Sequence, residues 1–141
     1  LLEGTGFAPE PETAPRRVDD ELWHQRFAGA GRIDELRELG QRLSGVLVQF
    51  LMRSDADERF LADGRDIGGR YASASLTCGL SRVEAVEAFL FYQESFLELA
   101  AQSSSSDAAG SLRQFARYDQ FMGAVLLGLI SGFEDKSQAA D

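Results

Sequence analysis

The chain has 141 residues, of which 44% are hydrophobic and 10% aromatic, and it carries a formal net charge of −9 at pH 7. A chain of this length and apolar content is expected to form one domain with its own core, not a disordered segment. Its excess of acidic residues argues against non-specific binding to nucleic acid or to an anionic membrane surface. Its single Cys and single His exclude an intramolecular disulfide and a paired-ligand zinc site.

The distribution of proline divides the chain in two. All three prolines lie near the start, at Pro9, Pro11 and Pro15. Residues 1–18 are rich in Pro, Gly and Glu, so we predict an extended or disordered linker there. Proline inside a helix costs about 3 kcal/mol. The proline-free body with its 3.6-residue apolar period therefore predicts an all-α domain over residues 19–141, either globin-like or an antiparallel bundle of about five helices.

No secretory leader and no membrane span are predicted. The first residues lack a basic start followed by an apolar run, and the longest uncharged stretch, residues 120–133, is shorter than the ~20 residues that a membrane helix needs. With only one cysteine, we expect a cytoplasmic protein. Because no methionine precedes Met52, we expect a piece of a longer protein or a processed product.

The first three helices are predicted from their apolar spacing and their ends. The first starts at Asp19 or Asp20 and ends or kinks at the glycines within residues 28–31. The second covers residues 33–53. The third covers residues 56–77, with Asp55 and Glu58 as a capping box at its start and Gly79 as its C-cap.

The fourth helix has the clearest start signal. Ser81 and Glu84 form an S-x-x-E capping box, and Leu80 is placed to pack on Ala85 as a hydrophobic staple. The helix is therefore predicted from Arg82 to about residue 101. After a loop at residues 103–106 with Asp107 as N-cap, a fifth helix is predicted over residues 108–133, followed by a fraying tail.

The third and fifth helices each carry small residues at every fourth position. These ridges are Gly64, Gly68 and Ala72, and Ala124, Gly128 and Gly132. Interior glycine costs about 1 kcal/mol relative to alanine, so we expect the ridges to serve the close approach of another helix. That helix comes either from the same chain or from a second copy.

The fourth helix is apolar apart from a strip of four glutamates, Glu84, Glu87, Glu94 and Glu98. We interpret the strip as a solvated edge, since a carboxylate-bridged metal site in a bundle needs inward E-x-x-H pairs that one histidine cannot supply. The remaining circumference, which includes Leu90 and Leu97, is predicted to be buried in a bundle core or a dimer interface.

An aromatic set on the third to fifth helices has two interpretations. It forms either a plain core or the lining of an apolar ligand pocket. Its members are Tyr71, Phe89, Tyr92, Phe96, Tyr118, Phe121 and Met122.

Direct DNA reading and catalysis are not expected. Residues 74–90 have the glycine turn of a helix-turn-helix, but their second helix carries glutamates where a recognition helix needs basic or neutral polar residues. The lone His24 and Cys78 lack partners for metal ligation or nucleophilic catalysis, and no phosphate-binding glycine loop is present. We therefore predict no cofactor, no metal and no enzymatic activity.

Residues 64–72 (GRDIGGRYA) and 79–96 (GLSRVEAVEAFLFYQESF) carry a family resemblance. Over residues 39–99 the chain is similar to the helical N-terminal sensory or regulatory domains of the stressosome RsbT co-antagonist (RsbR-type) family, and to helical regions attached to bacterial histidine kinases and helix-turn-helix regulators. The resemblance implies a helical fold without haem, dimerisation and a role in signal input, and it carries over no catalytic residue.

Two hypotheses of function follow. In the first, the chain is a homodimeric regulatory domain of a bacterial signalling or stress-response protein that couples a signal or small ligand to an output module outside the sequence. In the second, it is the dimerisation domain of a helix-turn-helix transcriptional regulator whose DNA-binding module lies upstream of Leu1.

Overall fold

A computed structural model describes the backbone of residues 22–53, 55–102 and 108–140, and the side chains of residues 22–53, 55–98 and 109–135. Within these ranges the chain consists of helices joined by short turns and has no strand. The helices are α1 (Leu22–Gly29), α2 (Ile33–Met52), α3 (Asp57–Thr77), α4 (Arg82–Gln102) and α5 (Ala108–Ala140). The predicted all-α bundle of about five helices is confirmed. The linker at residues 1–18, the start of the first helix at Asp19 or Asp20, and the loop at 103–106 with its N-cap Asp107 lie outside the described residues.

The turn between α3 and α4 follows the prediction closely. Gly79 has a φ of 83°, a left-handed conformation that glycine adopts without a steric penalty. The amides of Gly79 and Leu80 donate to the carbonyls of Leu76 (3.1 Å) and Ser75 (2.9 Å), which is the hydrogen-bond pattern of a Schellman C-cap.

The capping box that starts α4 is confirmed in both directions. The Ser81 amide donates to the Glu84 carboxylate at 2.9 Å, and the Glu84 amide donates to the Ser81 hydroxyl at 3.1 Å. Leu80 and Ala85 are both buried, as a staple requires. The residues from Gly79 to Ala85 therefore specify this turn through local contacts alone.

Two predicted helix ends are wrong. Ala56 occupies the N-cap of α3 and makes no side-chain cap, because the Asp55 carboxylate instead pairs with Arg53 at 3.1 Å. Helix α5 runs to Ala140 and does not stop at Phe133. The seven residues after Phe133 contain neither glycine nor proline, so nothing in the sequence terminates the helix there.

The helix directions follow from which residues meet. Helix α3 contacts α5 along its whole length: Asp57 pairs with Arg117 near the start of the contact, and Ala72 lies beside Gly132 near its end. The two helices therefore run parallel. Helix α4 begins at the turn after the end of α3, and its Gln93 accepts a hydrogen bond from Tyr118, beside Arg117 at the opposite end of the α3–α5 contact. Helix α4 therefore runs back along the pair, antiparallel to α5.

One contiguous core joins all five helices. Its largest fully buried side chains come from α1, α2, α3 and α5, and include Trp23, Phe27, Phe50, Tyr118 and Phe121. In the part of the chain that the structure describes, no helix is both long enough and apolar enough to cross a bilayer.

Candidate functional site

The small-residue ridges of α3 and α5 pack on each other inside the chain. A Cβ built on Gly68 would collide with the carbonyl oxygen of Val125, and one built on Gly128 would collide with the carbonyl oxygen of Arg65. The two backbones thus touch directly, in both directions. A side chain at either position requires the helices to separate.

The other ridge positions extend this crossing at both ends. A Cβ on Gly64 would lie 3.0 Å from the Phe121 ring, and one on Gly132 would lie 2.7 Å from the Ala72 side chain. Ala124 is half-buried at the margin of the contact. Of the two sources predicted for the partner helix, the structure shows the same chain.

The aromatic set forms part of the core. Six members are buried, and Tyr92 is half-buried against them. None of the seven lines the surface grooves described below or the one between the end of α2 and the start of α5. Their burial agrees with a plain aromatic core, and the apolar ligand pocket stays the alternative prediction.

Helix α1 is anchored by an aromatic stack that sequence reasoning missed. The Trp23 ring stacks on Tyr71 with centroids 4.7 Å apart and lies 5.3 Å from the Tyr92 ring. Its Nε1 donates to the buried Ser75 hydroxyl at 2.9 Å, which satisfies both polar groups. No local pattern marks this pairing, because it spans 52 residues.

Arg117 ties three helices together and was also missed. It donates to the backbone carbonyls of Phe50 and Arg53 at the end of α2, and to both oxygens of Asp57 at the start of α3. Its guanidinium lies 4.1 Å from the centroid of the Phe50 ring. The hydrogen bond from Arg117 lowers the pKa of Asp57. Such a cation at a helix C-terminus is structural in character.

Tyr118 connects α5 to α4. Its hydroxyl donates to the Gln93 carbonyl at 2.6 Å, an acceptor on the buried flank of α4. Burial raises the pKa of Tyr118 to about 12. The group is thus held as a neutral donor over the ordinary pH range.

The larger grooves lie beside α3. One of about 1350 Å³ runs between α2, α3 and α5 and carries charges of both signs, among them Arg42, Asp66 and Asp135. A second, of about 760 Å³, lies on the outer side of the α3–α5 pair. Its apolar lining is Leu61, Ala62, Gly123, Ala124, Leu126 and Leu127, and Glu58 and Arg65 also line it. We call this second groove the α3–α5 groove.

The outer face of α4 is not covered within the chain. Leu90 and Leu97 are 52% and 40% exposed, because the face that packs on the domain is centred on Ala85, Ala88, Phe89 and Phe96. The bundle core does not bury these two leucines, and the predicted alternative, a dimer interface, stays a prediction. Val83 is 65% exposed. Since Val83, Leu90 and Leu97 repeat every seven residues, they form one stripe along the helix.

Acidic side chains lie along one side of this stripe. Glu87, Glu94 and Glu98 are exposed and lie within about 100° of the stripe around the helix axis. Glu84 is instead half-buried and pairs with Arg26 of α1 at 2.9 Å. Its hydrogen bond from the Ser81 backbone lowers its pKa. The glutamate strip predicted from the sequence is thus divided: one member is structural and three are exposed.

In the side chains that the structure describes, no group of three or more His, Cys, Asp or Glu is arranged to hold a metal ion. Cys78 is half-buried at the end of α3, and burial raises its pKa, which disfavours a nucleophilic thiolate. His24 lies on α1 next to the buried Trp23. The features that stand out for function are therefore surfaces: the α3–α5 groove and the outer face of α4.

Compared with known proteins, the chain matches no protein-family model, no curated protein and no solved structure. The resemblance to stressosome domains and to other bacterial regulators stays a prediction.

Proposed function

We propose that the chain is a non-catalytic, cytoplasmic regulatory domain that forms a homodimer and couples a signal to an output module outside this sequence. The observation that carries the proposal is the exposed apolar surface of the α3–α5 groove. Helices α3 and α5 are already joined by their glycine crossing, so the groove on their outer side is a fixed surface with large side chains in it. Leu127, in its wall, is 52% exposed.

The charges in this groove support a symmetric contact. Glu58 and Arg65 are seven residues apart on α3, which is about 10 Å along the helix. If two copies meet with their α3 helices antiparallel, Glu58 of each copy lies opposite Arg65 of the other. The interface then contains two such ion pairs. A two-fold interface needs this kind of self-complementary patch, and Leu61 and Leu127 supply its apolar centre.

The same proposal covers both hypotheses of function, since a transcriptional regulator with an upstream DNA-binding module also requires dimerisation. Direct DNA contact by this chain is disfavoured by the exposed glutamates of α4. Signal input fits a small domain whose described polar clusters are structural ties between helices and not an arrangement of acid, base and nucleophile.

Sedimentation velocity over a wide concentration range tests the dimer. We expect a species of twice the chain mass, and we expect Leu127→Arg to convert it to a monomer with unchanged helical circular dichroism. Leu76→Arg is the matched control: Leu76 is 40% exposed near the end of α3, away from the groove. A wild-type chain that stays monomeric at about 100 μM, well above the Kd of a functional dimer, contradicts the proposal.

A further inference from the structure

We infer that the outer face of α4 is a docking surface for a basic amphipathic helix. The inference names a partner chemistry for the regulatory role proposed above, but its surface is separate from the α3–α5 groove. The evidence is the stripe of Val83, Leu90 and Leu97 together with the negative charge along one side of it.

The stripe has the geometry of a helix-binding seam. A seven-residue repeat places its three side chains nearly in line along the 21-residue helix. From Val83 to Leu97 the stripe spans about four helical turns, which is longer than the two turns needed to seat the anchors of a bound helix. The domain itself leaves these side chains uncovered, because Ala88, Phe89 and Phe96 occupy the inner face of α4.

The apolar surface continues onto α5. Tyr118 bonds to Gln93, and the two helices are antiparallel, so Leu97, one turn after Gln93, and Phe115, one turn before Tyr118, lie toward the same end of the pair. Phe115 and Leu112 are 54% and 69% exposed. A partner helix lying along α4 thus meets further apolar side chains at that end.

The charge of the face selects the partner. Residues 82–112 carry five acidic residues against one cation, Arg82 at the first position of α4. Glu87, Glu94 and Glu98 are exposed beside the stripe. A second α4 laid on the first would set glutamates against glutamates, and an anionic membrane would be repelled in the same way. A helix with apolar residues on one face and Lys or Arg on its flanks complements both the stripe and its acidic border.

Fluorescence anisotropy with two synthetic peptides tests the inference on the full chain. Both peptides are amphipathic helices of about three heptads with the same leucine seam, one flanked by lysines and the other by glutamates. We expect only the basic peptide to bind, with an affinity that falls as salt is added. No binding of the basic peptide at about 100 μM, or equal binding of both peptides, overturns the inference.

Two sets of variants locate the site. Glu87→Gln, Glu94→Gln and Glu98→Gln together should weaken binding about tenfold, whereas Glu38→Gln, Glu134→Gln and Asp135→Asn, which remove the same charge from other exposed positions, should leave it nearly unchanged. An equal loss in both sets would show a non-specific charge effect and would overturn the assignment of the site.

Leu90→Ser with Leu97→Ser should abolish binding and leave the oligomeric state unchanged. If this pair instead converts a dimer to a monomer, the face joins two copies of the chain and the inference is wrong. A wild-type chain that binds the basic peptide as a monomer contradicts the proposed dimer but leaves the docking surface standing, so the two proposals fail separately.

Discussion

Helices α3 and α4 have the same length, 21 residues, but they use their surfaces in opposite ways. Helix α3 contains three glycines and touches the backbone of α5 at Gly68. Helix α4 has larger side chains, buries one face and leaves Val83, Leu90 and Leu97 exposed. Helix α3 has the poorer intrinsic helix propensity, yet it packs more closely against its neighbour than α4 does. The reason is that close backbone packing requires positions without a side chain.

The glycine crossing offers the sharpest way to break this comparison. Gly68→Ala or Gly128→Ala should destabilise the domain by about 3 kcal/mol or more, since the added methyl group meets a backbone carbonyl that cannot rotate away. Urea unfolding followed by circular dichroism measures the change.

The matched control for both variants is Gly45→Ala, inside α2 and outside the α3–α5 groove. A Cβ at Gly45 meets nothing within 4 Å, so this variant should be up to about 1 kcal/mol more stable than the wild type. If all three variants shift stability in the same direction, the crossing is not the close contact described above.

Sequence reasoning reached the features that depend on neighbours in the chain. The Ser81–Glu84 capping box, the Gly79 turn and the ridge spacing each need only a few residues, and each has its own physical signal. It missed contacts between distant residues, such as that of Arg117 with Asp57 from 60 residues away. At Asp55 it chose between two local partners and was wrong, because the Asp55 carboxylate pairs with Arg53 and does not cap α3.

The exposure of Leu90 and Leu97 also lay beyond sequence reasoning. The periodicity of α4 shows which residues share a face, but α4 has apolar residues on more than one face. Which of these faces turns inward is decided by what packs against it, here through Tyr118 at Gln93. A sequence pattern identifies a face, and only tertiary contacts assign it.

The tie at Arg117 gives the next largest effect. Arg117→Met removes the donors to the end of α2 and leaves Asp57 without its cation, so we expect a loss of about 2–3 kcal/mol. Arg113→Met is the control, because Arg113 lies one turn earlier on α5 and is exposed; it should change the free energy of unfolding by less than about 0.5 kcal/mol. If both variants lose the same free energy of unfolding, the effect comes from the positive charge on α5 and not from the contacts of Arg117.

The Tyr118 tie between α4 and α5 predicts an alkaline sensitivity. The pKa of Tyr118 is raised to about 12, whereas an unfolded tyrosine titrates near pH ~10. Between these values the native state keeps a proton that the unfolded state releases, so stability falls as pH rises, by up to about 2 kcal/mol. Tyr118→Phe should show a smaller fall between pH ~10 and pH ~12 in urea titrations. If the variant loses as much stability with rising pH as the wild type, Tyr118 is not the group responsible.

The exposed stripe of α4 gives the smallest expected effect on folding. Leu90→Ser should alter the free energy of unfolding by less than about 0.5 kcal/mol. Its neighbour Phe89 is buried, and Phe89→Ala should cost about 3–5 kcal/mol. Thermal and urea unfolding of the two variants compare the faces directly. A large loss from Leu90→Ser would mean that the stripe is part of the domain core.

Native-state hydrogen exchange, read residue by residue by NMR, tests the contrast between the two helices most directly. We expect the amides of α3 and α5 around Gly68, Val125 and Gly128 to exchange only through global unfolding, and the amides of α4 near Leu90 to exchange through a smaller opening of lower free energy. Protection in α4 equal to or greater than that at the glycine crossing would contradict the account.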